Sequence, residues 1–166
     1  MGVIKAMLLE LEQEAQTTRR VLERVPDGKL GWKPHPKSMS LGELSLHVAT
    51  LPGAIAQMSM QSPFQVPSFV PASAPNAAML VPTLDESVAT AKRVLDGQDD
   101  ASLEAVWRLV DGDTELFALP RGALLRSLML NHWYHHRGQL SVYLRELDVP
   151  VPSIYGPSAD ERPFGR

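Results

Sequence analysis

Asn131-His132-Trp133-Tyr134-His135-His136-Arg137-Gly138-Gln139-Leu140 is the stretch on which the reading of this chain turns. His132 and His136 are four residues apart. On an α-helix, which rises about 1.5 Å per residue, that spacing sets both imidazoles on one face about 6 Å apart along the axis, within reach of one cation. Leu124, Leu125, Leu128, Met129, Leu140, Val142, Tyr143 and Leu144 extend the pattern into one long helix that begins after Pro120 and ends near Asp148-Val149-Pro150. Met129 and Leu140 share the histidine face, which is therefore expected to look inward. His135 lies about 100° from its neighbours on the helical wheel and is expected at a helix boundary or around a bound ion rather than on it. Gly138 is expected to let another helix approach closely.

Three more helices are expected upstream. Ile4, Met7, Leu8, Leu11, Ala15, Thr18, Val21, Leu22 and Val25 recur at steps of three and four, with Glu10, Glu12, Glu14, Arg19, Arg20 and Glu23 on the other face. Pro26-Asp27-Gly28 stops that helix, and the prolines of Trp32-Lys33-Pro34-His35-Pro36 hold a loop. Ser40 and Glu43 form a capping box ahead of Leu41, Leu44, Val48, Leu51, Ile55 and Met58, predicting a second helix over 41–61 kinked at Pro52. His47, three residues after Leu44 and four before Leu51, falls on its inward face. Prolines at 63, 67, 71, 75 and 82 exclude a helix or inner strand, while Phe64, Val66, Phe69, Val70, Met79, Leu80 and Val81 argue against disorder, so 61–82 reads as a long ordered crossover. Thr83 and Glu86 suggest a second capping box, starting a third helix that ends near Asp96-Gly97. Residues 106–119 around Asp111-Gly112-Asp113 read as a small hairpin or an irregular connection, and 151–166 as a Pro- and Gly-rich tail. The expected architecture is all-α: a single four-helix-bundle domain over 1–166 with a long crossover between helices 2 and 3.

Composition narrows the function. The 166 residues carry 16 Lys plus Arg against 19 Asp plus Glu, a formal net charge of -3, which offers no positive field for direct nucleic-acid binding. No cysteine is present, so a metal must be held by His, Asp or Glu, and any sulfur chemistry needs an outside thiol. No span reads as a membrane helix or signal peptide, and a cytoplasmic location is expected. Between Leu44 and Leu84 there is no Asp, Glu, Lys or Arg, which suggests burial partly against a second subunit, as a homodimer.

Each histidine alone reads equally well as a hydrogen-bonded core residue. His47, His132 and His136 together place three imidazoles on apolar stripes of two helices, and one divalent cation would satisfy all three. His35, between prolines, is expected at the surface, and Trp32 as a core or rim plug. Asn131, His135, Arg137 and Gln139 are candidates to orient ligands or bind an anionic group, the alternative for Arg137 and Gln139 being surface pairing. Tyr155, Asp160 and Glu161 would meet substrate if the tail closes over the site; the alternative is a surface tail.

The His-His-Arg-Gly-Gln run with a histidine four before its second His, preceded by Trp32-Lys33-Pro34, Ser38-Met39-Ser40, Glu43-Leu44 and His47, resembles the DinB/YfiT-like superfamily of metalloenzymes over nearly the whole chain. The resemblance implies a four-helix bundle holding nickel or zinc through one histidine of helix two and two of helix four, by position His47, His132 and His136. It further implies a small-molecule substrate and, for some members, a transferase or isomerase reaction using a low-molecular-weight thiol. A metal-dependent hydrolase is the companion reading, and a metal-binding stress-response or interaction module without turnover is the alternative. Imidazole ligands also accept copper and iron.

Overall fold

The computed structural model describes residues 2–68 and 70–162. Helix α1 (Val3–Leu22) starts without a local cap; the Asp100 carboxylate accepts from the Val3 and Ile4 amides, both at 3.0 Å, and so caps it from far along the chain. Those two bonds hold the Asp100 carboxyl below its usual range. Helix α2 (Leu41–Met58) opens on the expected capping box, with Ser40 Oγ accepting from the Glu43 amide at 3.1 Å and Glu43 Oε2 from the Ser40 amide at 2.6 Å.

The crossover that follows contains a strand, β1 (Phe64–Gln65), and Phe69 within it lies outside the described residues. Helix α3 (Leu80–Asp96) begins four residues earlier than the Thr83 box predicts. Pro82 falls in its first turn, where amides have no helical acceptor and a missing N–H costs nothing. Asn76 instead accepts from the Met79 amide and caps the short 3-10 turn leading in.

Of the two readings for 106–119, the hairpin is the one adopted. Strands β2 (Val106–Asp111) and β3 (Thr114–Pro120) pair antiparallel from Asp111↔Thr114, around a two-residue turn in which Gly112 takes φ +57°. Strand β1 adds parallel to β2 with Phe64 opposite Leu109, giving a three-stranded sheet in the order β1-β2-β3. Trp107 is buried between Phe64 and Phe117, and its indole N–H donates to the Met58 carbonyl at the end of α2. The chain is therefore mostly helical with a small sheet, not all-α. A hairpin long enough to bury one tryptophan outweighs the helical pattern around it.

After Pro120 the fourth long helical run is continuous but not uniform: α4 (Arg121–Leu124), a π-helical stretch (Leu125–Asn131), then α5 (His132–Glu146). The π turns let Leu124 and Met129, and Leu125 and Leu130, five residues apart, all face the core, where all four are fully buried. Helix α1 packs on α3 and α5, and α2 packs on the same two. Their buried faces share one core that includes Leu11, Leu44, Val48, Leu84, Met129, Trp133 and Leu140.

Candidate metal centre

Helix α2 supplies His47, and the first two turns of α5 supply His132 and His136. All three are half-buried, and one ring nitrogen from each lies within 4.8 Å of the other two. The ring centroids are 4.4 Å apart for His132 and His136, 4.6 Å for His47 and His136, and 5.4 Å for His47 and His132. Among the described residues this is the group of His, Cys, Asp and Glu side chains that could hold a metal ion.

The electrostatics keep the cluster neutral. Burial, reinforced by the two neighbouring imidazoles, lowers the His47 pKa to about 4. Burial also lowers His132, with His135 adding to it, and lowers His136 against the opposing hydrogen bond to Gln139, with His132 and His135 adding to the burial. Neutral imidazole is the form that coordinates a cation. Gln139 Oε1 lies 2.7 Å from His136 Nδ1, which places the proton on Nδ1 and leaves Nε2 a lone pair. That Nε2 is 2.6 Å from His132 Nε2, too close for two bare lone pairs, so the His132 Nε2–H donates to it, and a cation bound here would have to displace that proton and spread the two nitrogens. His132 Nδ1 is buried without a hydrogen-bond partner; the Leu128 carbonyl one turn earlier favours the protonated ring but is not at bonding geometry. Three neutral rings, two facing nitrogens and one unpaired buried nitrogen fit a divalent cation with nitrogen ligands.

The remaining candidates divide between the two sides of α5. His135 and Asn131 are exposed, with the His135 ring 5.0 Å from His136. On the triad's side, one turn beyond Gln139, Tyr143 meets Trp32 edge to face at 5.5 Å and donates to the Met39 carbonyl, so Trp32 plugs the rim of the loop. His35 is exposed, and its Nδ1 accepts from the Lys37 amide.

Arg137 points the other way, into the interface with α1. Its guanidinium is 1% exposed and pairs with Glu14 Oε2 at 2.6 Å, while donating to the Thr18 hydroxyl at 3.1 Å and to the Tyr155 hydroxyl at 2.6 Å. Tyr155 donates in turn to Glu14 Oε2 at 2.9 Å. Glu14, assigned by its charge to the wet face of α1, is buried; it occupies the position between Leu11 and Thr18 on the core stripe, a placement its spacing could have shown. The described part of the tail is a strap pinned along α1 and α5. Glu161 pairs with Arg20, Asp160 pairs with Arg145, and Ser153 hydrogen-bonds the Gly156 carbonyl. Residues 163–166 of the tail lie outside the described residues. Gly138 has open space where a Cβ would be, so the close approach expected there does not occur. It occurs at Gly53, where a Cβ would lie 2.7 Å from the Ser87 carbonyl oxygen of α3.

Fold and site together define a helical scaffold whose second and last helices bring three histidines to one point. The chain belongs to the DinB family, whose pattern it matches over residues 1–163, in agreement with the resemblance seen in the sequence. It is 27% identical over 154 residues to the uncharacterized protein YrdA of Bacillus subtilis strain 168, covering 90% of this chain and 86% of that protein. The crystal structure of a DinB-like protein from Bacillus cereus ATCC 10987 superposes with a TM-score of 0.71 at 21% identity, over 89% of this chain and 95% of that one. A second DinB-like protein, YjoA of Bacillus subtilis, gives 0.64 at 19% identity, over 95% and 99% of the two chains. These structures share the fold. No helix among the described residues is long and apolar enough to cross a membrane.

Proposed function

We propose that this protein is a cytoplasmic, single-domain metal-dependent enzyme of four-helix-bundle type, with His47, His132 and His136 as the ligands of one nickel or zinc ion and a small molecule as substrate. The observation that carries the reading is the convergence of three neutral imidazoles on one point. A divalent cation held by three imidazoles keeps a coordination position open and lowers the pKa of the water or low-molecular-weight thiol bound there, which suits hydrolysis or thiol transfer. The chain's own residues prepare that position. Gln139 fixes the His136 tautomer, and burial keeps the His47 ring unprotonated. His135 and Asn131 stand exposed on the same turns, placed to meet what enters.

Two copies of the chain are proposed to associate through the uncharged 44–84 segment, where Met60, Val66, Val70 and Met79 are exposed. Light scattering that returned a monomer mass at every concentration would remove that part of the reading.

The test of the site is elemental analysis and metal titration of tag-free protein. About one nickel or zinc per chain is expected, lost in His136→Ala and retained in His135→Ala. Equal loss in both variants, or no uptake by the wild type, would refute the assignment.

A further inference from the structure

Pro52 stands in the middle of α2, where a proline removes the hydrogen bond from its own nitrogen to the carbonyl four residues earlier. That carbonyl belongs to Val48, the residue after His47. It is buried, yet it is satisfied: the Trp133 indole Nε1–H donates to it at 2.9 Å. Trp133, fully buried, is the residue after His132. The next amide after the proline, on Gly53, donates to the Ser87 hydroxyl at 2.8 Å, and that hydroxyl donates to the Thr50 carbonyl at 2.9 Å. Thus the carbonyl left over at the proline makes a tertiary contact to α5, and the neighbouring Gly53 amide makes one to α3.

We infer that Pro52 and Trp133 form a positioning clamp that sets the register of His47 against His132. The bond joins the residues immediately following the two histidines, so it runs alongside the gap between their rings, 5.4 Å from centroid to centroid. A slide or rotation of α2 along α5 would break it. Apolar contact is non-directional, whereas a bond to a buried carbonyl fixes one alignment and leaves the acceptor unsatisfied when it breaks. Neither residue touches the imidazole nitrogens, so the clamp acts through the backbone that carries them. The functional consequence rests on the metal reading given above; the geometric one does not.

Two variants of the full-length protein test it. Trp133→Phe keeps an aromatic ring but removes the donor; Pro52→Ala restores a helical amide that competes with the indole for the Val48 carbonyl. Zn2+ titration is expected to show affinity lowered at least about tenfold in each. The double variant should be no worse than the weaker single, because both changes act on the same bond. Leu95→Ala, a core change on α3 remote from the clamp, should lower Tm without changing the affinity. In metal-free protein, the nuclear Overhauser contacts between the His47 and His132 rings should weaken in both clamp variants and persist in Leu95→Ala. Wild-type affinity and undiminished ring contacts in either clamp variant would overturn the inference. If the wild type bound no zinc, the metal reading would fall, and the ring contacts would still decide whether the clamp sets the register.

Discussion

Removing the Arg137 guanidinium should be among the most damaging single changes in this chain, and should do its damage without touching the triad. The guanidinium and the Glu14 carboxylate are 1% and 7% exposed, so neither charge is shared with water to any extent. In Arg137→Met the Glu14 carboxylate keeps only the Tyr155 hydroxyl as a side-chain donor, and the Glu14 carbonyl and Thr18 hydroxyl both lose a partner. Breaking one side of a buried ion pair typically costs about 3–5 kcal/mol. Against a total stability of about 5–15 kcal/mol, that is a large fraction. Replacing both charges with apolar groups of similar size, Glu14→Leu with Arg137→Met, removes the uncompensated charge, and the double variant should return to within about 1 kcal/mol of wild type. Urea denaturation of the two variants beside the wild type measures this directly, with Zn2+ affinity of the folded protein as the second readout, expected unchanged. A loss below about 1 kcal/mol in Arg137→Met would refute the ion-pair argument. Full stability with lost ligand binding would return Arg137 to the substrate-binding role its sequence neighbours suggest.

Acid should weaken the metal-free fold through the same histidines. His47 falls from 6.5 to about 4, so the unfolded chain takes up the proton more readily than the native one; stability is complete above about pH 6.5 and is lost as pH drops toward 4. A fully shielded ring would contribute about 3 kcal/mol over that window, and water screening at this half-exposed site reduces the loss to about 1–2 kcal/mol, read by urea midpoints at pH 7 and 4.5 against His47→Gln. Gln139→Leu leaves His136 Nδ1 without its acceptor and should cost about tenfold in metal affinity, while a variant as tight as wild type would show that the tautomer is set elsewhere. Gly53→Ala must push α2 off α3 and should cost about 1–3 kcal/mol, whereas Gly138→Ala, facing open space in a helix interior, should gain about 0.5–1 kcal/mol, both by urea midpoint.

How legible each part was depends on whether its cause is local. The α2 capping box, the α1 stripe and the His132 to His136 spacing are written within a few residues, and periodicity finds them. What was missed is tertiary. Nothing near Val3 announces that Asp100 caps α1, and the Thr83 box loses to a start at Leu80 because Pro82 is harmless in a first turn. Glu14 and Arg137 were read by their charge as solvated or ligand-facing, when each satisfies the other inside the core. The π-helical stretch from Leu125 to Asn131 matters most for the site. A uniform helix through these residues would advance the register by the extra fraction of each turn, so the face that Leu124 and Leu125 bury would not be the face that presents Trp133 to α2. Leu124 to Met129 and Leu125 to Leu130 repeat at five, a period that a search at three and four passes over. The wider turn brings Trp133 onto the Val48 carbonyl that Pro52 leaves over, and His132, one residue earlier, comes with it toward His47. Two departures from regular helix, one in α2 and one just before α5, thus meet at the bond beside the triad.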